Sequence, residues 1–233
     1  MVKTPLSRAL CVCTAVCCGV VLLPTLSVQA QEDEALKAHR QMLPARCGAA
    51  AKACVPLVVH VVVDVEGRAV QTPDWMAHHL REANRHFAPL GVEFAVVQLA
   101  ALPAKATIVA TRADRDRLGR GRWRRGQIAV FVVGQLDNVD EPGEIRGVHW
   151  RERARRSRRW VILSAIAPSM VLAHELGHFY GLPHSSYPVS IMNKKPRRDP
   201  PLEARTFAPP EIALMRRRLK AMRRSGVIQT LDP

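Results

Sequence analysis

Residues 171–184 read Val171-Leu172-Ala173-His174-Glu175-Leu176-Gly177-His178-Phe179-Tyr180-Gly181-Leu182-Pro183-His184, and the rest of the chain is read outward from them. Val171, Leu172, Leu176, Phe179 and Tyr180 offer apolar surface to a core, so the segment is expected to be a helix with one buried face. On such a helix His174 and His178 stand ~40° apart and ~6 Å along the axis, with both imidazoles aimed at one point. That suits two corners of a tetrahedral zinc site. Glu175, ~100° around from His174, stands beside the metal and within reach of its water. Gly181 stops the helix where a left-handed backbone is easiest, and Leu182-Pro183 redirect the chain so that His184 returns as a third ligand. Three protein ligands leave one position open, the mark of a catalytic zinc and not of a structural one. A lone histidine on an apolar face is usually a packed core residue, but here three of the nine His, one Glu and one Gly fall at fixed offsets.

This pattern, His174-Glu175-x-x-His178-x-x-Gly181-x-x-His184, resembles the zinc signature of the metzincin metalloproteases. That clan has a Met-turn beneath the metal, and here Ser190-Ile191-Met192-Asn193 places Met192 eight residues after His184, the interval usual in matrixins. Ser185 directly after the third ligand is also matrixin-like. Astacins carry a Tyr two residues after the Met, where this chain has Lys194. A kinship with pappalysin-like bacterial proteases fits the order of elements about as well. The resemblance implies that Met192 packs below the ligands without binding zinc. It also implies that the segment after Met192 walls the pocket for the residue just beyond the scissile bond. Lys194, Lys195, Arg197 and Arg198 would make that wall cationic and favour an acidic side chain, unless all four point into solvent.

Upstream, Val55 to Val65 is a β-branched run containing His60, long and apolar enough for a buried strand. Thr72 caps a helix opened by Pro73 and Asp74, with Trp75, Met76, His79, Leu80, Ala83 and Phe87 at helical spacing up to Leu90-Gly91. Val92 to Leu99, Gln127 to Val133, Gly147 to Arg151 and Arg159 to Leu163 read as further strands, with an Arg-rich stretch, Arg112 to Arg125, among them. A last helix is expected from about Pro210 to Arg224, with Ile212, Met215, Leu219 and Met222 on one face. This order predicts an α/β (α+β) chain. By resemblance it is a metzincin-like N-terminal twisted mixed sheet with two helices, then a small C-terminal subdomain with the Met-turn and one helix. The catalytic domain would span 55–233, with a subdomain break near 181–184, behind an N-terminal extension at 31–54 that holds a short helix from Glu32 to Leu43.

The first thirty residues are set apart. Lys3 and Arg8 precede an apolar run from Ala9 to Leu26, and Val28-Gln29-Ala30 offers small residues before polar Gln31-Glu32-Asp33-Glu34. A cleaved signal peptide at 1–30 is expected, hence a secreted product, extracellular or periplasmic, without stable membrane insertion; an uncleaved anchor or a lipid-modified Cys is the alternative. Cleavage would remove four of the six Cys and leave Cys47 and Cys54. A disulfide between them would contribute about 2 kcal/mol, whereas a two-Cys zinc site lacks flanking His. Pro44-Ala45-Arg46-Cys47-Gly48 also resembles the matrixin cysteine switch, in which a propeptide thiolate fills the open zinc position, though the Pro and Asp that should follow the Gly are absent.

Composition sets the outer bounds. Of 233 residues 48% are hydrophobic and 24% charged, which excludes a disordered or fibrous chain. The net charge of +15 would allow contact with a polyanion, and seven Arg in 112–125 and six in 151–159 could form such a surface. However, Arg outnumbers Lys 28 to 7 throughout, so these clusters also read as ordinary charged surface, and nucleic acid is not expected as a partner. Asp137, Asp140, Glu141 and Glu144 could hold calcium, but their spacing matches no recognised loop. The expected function is therefore that of a secreted zinc endopeptidase acting on proteins or peptides, with zinc on His174, His178 and His184 and Glu175 activating the water. The substrate would lie along a sheet edge, with 147–151 the candidate strand. The rival is a catalytically silent or polyanion-binding secreted module with a structural metal site.

Overall fold

A computed structural model describes residues 28–231. All but the last three residues of the expected signal peptide lie outside the described residues. In chain order the elements are α1 (Val28–Ala35), α2 (Lys37–Met42), β1 (Ala53–Val62), α3 (Pro73–Phe87), β2 (Val92–Leu102), β3 (Ile108–Val109) and α4 (Arg112–Gly119). They continue as β4 (Ile128–Val133), β5 (Gln135–Leu136), β6 (Gly147–Arg151), β7 (Arg159–Ser164), α5 (Val171–Phe179) and α6 (Pro209–Arg224).

Five strands form one mixed sheet in the order β2-β1-β4-β7-β6. The first four run parallel, and only β6, at the edge, is antiparallel to its neighbour. Parallel strands must be covered on both faces, which is why β1 and β4 are buried at every position and read as apolar runs, broken in β1 by His60 alone. On one face Val59, Val61, Val130, Val132, Val161 and Leu163 pack with Leu80 and Phe87 of α3 and Leu172, Leu176 and Phe179 of α5. On the other, Phe131, Val133 and Ile162 meet Trp160, Leu118 of α4 and Leu136 of β5. The fold is thus α+β, with the five-stranded mixed sheet the sequence suggested.

α3 starts as its sequence predicts, with Thr72 Oγ1 accepting from the Trp75 N–H and Pro73 in the first turn. Asn84 then locks it to β2. Its amide oxygen accepts from the Phe94 N–H at 2.8 Å, and its NH₂ donates to the Phe94 carbonyl at 3.3 Å.

Three local readings change. The helix expected from Glu32 to Leu43 is two short ones, because Leu36, fully buried, leaves the helical path to reach the core. β1 takes in Ala53 and Cys54, and β2 runs on to Leu102. The Arg-rich stretch contains a helix, α4, which has Leu118 as its one buried large apolar side chain and therefore no apolar stripe to betray it. Its signal was the capping box at Thr111 and Asp114, where each side chain accepts from the other's N–H.

Cys47 and Cys54 are joined in a disulfide with Cα atoms 5.7 Å apart. This overturns the cysteine-switch reading and the two-Cys zinc reading alike. Both sulfurs are covalently committed, and Cys54 on β1 pairs with Glu93 of β2, at the sheet edge opposite β6.

His60 on β1 is buried and stacked on Phe131 at 4.9 Å, with no hydrogen-bonding partner at either ring nitrogen. Burial, aided by the charges of Arg122 and Arg124, pulls its pKa from 6.5 to about 4. The folded state therefore favours the neutral ring. Its contribution is complete above about pH 6.5 and is lost as the pH falls toward 4, where the unfolded chain binds the proton first. Denaturant titrations are expected to show His60→Leu losing about 2 kcal/mol less stability than the wild type between pH 7 and pH 5. Equal losses in the two proteins would remove His60 from the acid response.

Candidate metal centre and cleft

α5 packs on one face of the sheet near its free edge, against β6 and β7. Packing its buried residues Leu172, Ala173, Leu176 and Phe179 into the core turns His174 and His178 outward together. Tyr180 follows, and Gly181, at φ 91°, takes the left-handed turn that an L side chain rarely adopts. The chain then reverses through Leu182 and Pro183 and delivers His184. The ligand nitrogens of His174, His178 and His184 all lie within 4.8 Å of one another.

Two backbone carbonyls fix the tautomers. His174 Nδ1 donates to the Ile191 carbonyl at 2.8 Å, and His178 Nδ1 to the Leu182 carbonyl at 2.7 Å. A carbonyl can only accept, so each Nδ1 carries the proton and each Nε2 presents a lone pair. His178 Nε2 stands 3.1 Å from His184 Nε2. Two nitrogens on one tetrahedral zinc at ~2.05 Å would lie ~3.3 Å apart, so this donor set fits that ion. Burial lowers the pKa of all three rings, to about 4 for His174 and His184, and their mutual proximity and Lys194 press His174 and His184 further the same way. They are neutral at pH 7, the form a metal ligand needs.

Glu175 sits beside the triad and is buried. Its Oε2 accepts the His149 N–H of β6 at 2.7 Å. Burial pushes the carboxyl up to about 7, while the His149 bond and Lys194 pull it down. The approach of β6 depends on Gly147, where a Cβ would fall 2.6 Å from Val171 Cγ1 and 3.2 Å from Glu175 Cγ. From the other side Met192, fully buried, packs under α5 against Gly177, where a Cβ would meet its Sδ at 2.8 Å.

The Met-turn is braced by partners that sequence reading missed. Ser190 Oγ donates to the Glu211 carboxylate at 2.7 Å and accepts the Met192 N–H at 2.9 Å. Glu211, three residues into α6, also accepts the Ala208 N–H at 2.7 Å. The Pro-Pro-Glu opening of that helix was the available signal; its link to Ser190 was not.

An open cleft of about 1370 Å³ runs along residues 144–149 of the β6 edge and over the triad. Lys194 lines it. The other three expected wall residues do not. Arg197 turns its guanidinium back onto the carbonyls of Ser190, Asn193 and Pro188, and Lys195 and Arg198 are exposed outside the cleft. The cationic wall thus shrinks to one residue.

Three of the four acidic residues weighed for calcium are separately engaged. Asp140 pairs with Arg112, Glu144 accepts from Ser164 Oγ, and Asp137 from Gln135 Nε2. Among the described residues His174, His178 and His184 are the one group of His, Cys, Asp or Glu close enough to share an ion. The arginine clusters partly brace the fold: Arg115 donates to the Asp137 carbonyl and lies over Trp150, and Arg158 covers Trp123.

Residues 113–203 match the family described as Matrixin, a span from α4 through the Met-turn. No curated protein matches the chain. Among solved structures, archaemetzincin from Methanopyrus kandleri is 17% identical, with a TM-score of 0.49 over 74% of this chain and 99% of that one. A zinc-dependent peptidase from Methanocorpusculum labreanum is 14% identical, with a TM-score of 0.40 over 67% of this chain and 99% of that one. The matched span holds all three convergent histidines, the adjacent Glu175 and the buried methionine below them, and over that span the chain is similar to the matrixin family of zinc metallopeptidases.

Proposed function

We propose that this chain is a secreted endopeptidase in which Glu175 is the general base. The observation that carries the reading is the position of Glu175, held by an edge-strand N–H on one oxygen and facing the triad in a cleft that follows that same edge. Zinc held by His174, His178 and His184 would supply a Lewis acid for the scissile carbonyl and for the attacking water. As the oxygen of the attacking water bonds to the scissile carbonyl carbon, Glu175, its affinity for a proton raised by burial, would take that water's proton and deliver it to the amine nitrogen as the C–N bond breaks.

The free edge of β6 supplies the substrate's register. Ser164 N–H donates to the Arg146 carbonyl and Glu152 N–H to the Arg158 carbonyl, so the even-numbered residues of β6 bond inward to β7. Gly147, His149 and Arg151 therefore turn their backbone groups outward. With His149 N–H committed to Glu175, the remaining groups are open to an added peptide strand. A cleft that continues past the triad along the strand suits cleavage within a chain.

Secretion is supported by the basic start and apolar run of the first 26 residues, and by a disulfide that persists best in an oxidising compartment. Protein collected outside the cytoplasm is expected to begin at Gln31 by N-terminal sequencing; an intact Met1 would overturn the cleavage.

The mature chain is expected to carry one zinc by elemental analysis. Glu175→Gln should keep that zinc and lose at least about 100-fold in turnover of a peptide pool, whereas His178→Ala should lose the metal as well. Undiminished turnover by Glu175→Gln would remove the mechanism and favour a silent module.

A further inference from the structure

Beyond the triad, at the C-terminal end of α5, three guanidiniums from three elements approach one another. Arg151 of β6 and Arg159 of β7 are directly opposed in the antiparallel ladder. They form a non-hydrogen-bonded pair, the closer of the two kinds, where like charges destabilise. Arg159 lies over the Phe179 ring at 4.4 Å, which places it on the α5 side of the sheet. Arg218 of α6 reaches the same turn, with its Nε 3.4 Å from where a Cβ on Gly181 would stand. Like-charge crowding is felt: burial, then Arg151 and Arg218, pull the pKa of Arg159 down to about 10.

None of these three side chains makes an ion pair or hydrogen bond among the described residues. Arg159 is half-buried. Tyr180, beside it, is fully buried with an unpartnered hydroxyl, and the charge of Arg159 acts on it. A fold that surrounds an unpaired, half-buried guanidinium with two more cations and no carboxylate leaves that charge to be met from outside. Arg151 and Gly181 both line the cleft that holds the triad.

Resting on the peptidase reading, we propose that Arg151, Arg159 and Arg218 form a subsite for a carboxylate side chain of the peptide substrate. Its place follows from the strand register. His149 is level with Glu175, and Arg151 is two residues farther along the edge, ~7 Å away. The acidic residue therefore sits about two positions from the scissile bond. Planar guanidiniums take a carboxylate with paired hydrogen bonds, so Asp and Glu are accepted where an amide is not.

The test is binding of fluorescent peptides to the zinc-loaded Glu175→Gln chain by anisotropy, with Glu, Gln or Lys placed in turn at each position of a short extended peptide, and cleavage of the same peptides by the wild-type chain mapped in parallel. At one position, about two residues from the bond, Glu is expected to bind about tenfold tighter than Gln, and less so as salt is added. Arg218→Met, an exposed change, should reduce that ratio several-fold, Arg159→Met should abolish it, and Arg151→Glu should shift preference toward Lys. Equal binding of Glu, Gln and Lys at every position overturns the subsite. So does a Glu preference that survives all three substitutions, which would assign it to Lys194. The expected binding pattern with no turnover of any peptide by the wild-type chain would sink the peptidase reading and leave the subsite standing.

Discussion

Two hydrogen bonds, from His174 Nδ1 to the Ile191 carbonyl and from His178 Nδ1 to the Leu182 carbonyl, connect the parts on which the centre depends. Each joins α5 to a segment that follows it, the first to the Met-turn and the second to the turn at Gly181. Each sets a tautomer while it positions a backbone. The imidazoles could not both present Nε2 to one point unless α5, the reversal after it and the Met-turn were held in register. That register depends on close approach. Gly147 and Gly177 admit β6 and Met192 to distances at which any Cβ would collide, so α5 is gripped from two sides by groups that touch it directly. Ser190 and Glu211 extend the grip to α6, and the first turn of that helix is thereby part of the metal centre's support.

Charge is distributed with the same economy of partners. The chain carries +15, and several of its arginines turn inward onto the backbone. Arg197 binds carbonyls around the Met-turn, Arg205 binds those of Pro200 and Arg197, and Arg115 lies between Trp150 and the Asp137 carbonyl. A guanidinium has five donors in a fixed plane and can join several carbonyls of an irregular loop at once, which an ammonium cannot do with the same geometry. The preference for Arg over Lys is thus partly structural, because the segment from Ser185 to Phe207 has little regular hydrogen bonding of its own.

The legible features were those written in local periodicity. The zinc helix, its two ligands at four-residue spacing, the reversal at Gly181 and the return of His184 lie within fourteen consecutive residues. The strands of the parallel sheet were legible as apolar runs, and α3 from its cap and stripe. α4 was not, since its faces are polar and only the box at Thr111 and Asp114 marks its start. Long-range partners were invisible for a different reason. Nothing near Glu175 in sequence announces the His149 N–H, and nothing near Ser190 announces Glu211. The basic run after Met192 misled because composition says nothing of direction. Carbonyls brought up by the tertiary fold turn Arg197 inward, while Lys194 alone borders the cleft.

The same reasoning explains why a divalent cation and three guanidiniums can share one end of α5. A helix C-terminus presents carbonyls without intrahelical partners, equivalent to roughly half a negative charge. His178 lies in that last turn, and Phe179 and Gly181 beside it receive Arg159 and Arg218. The dipole thus offsets part of the repulsion that a buried cation would otherwise suffer. Burial first, and then Arg151 and Arg218, still lower the affinity of Arg159 for its proton. The ligands are neutral imidazoles with Glu175 beside them, and although Asp140, Glu141 and Glu144 also line the cleft, no carboxylate among the described residues pairs with Arg151, Arg159 or Arg218. A bound acidic peptide would supply the missing sign where the protein has left it out. Substrate affinity and the electrostatic balance of the cleft are then two aspects of one arrangement of charge.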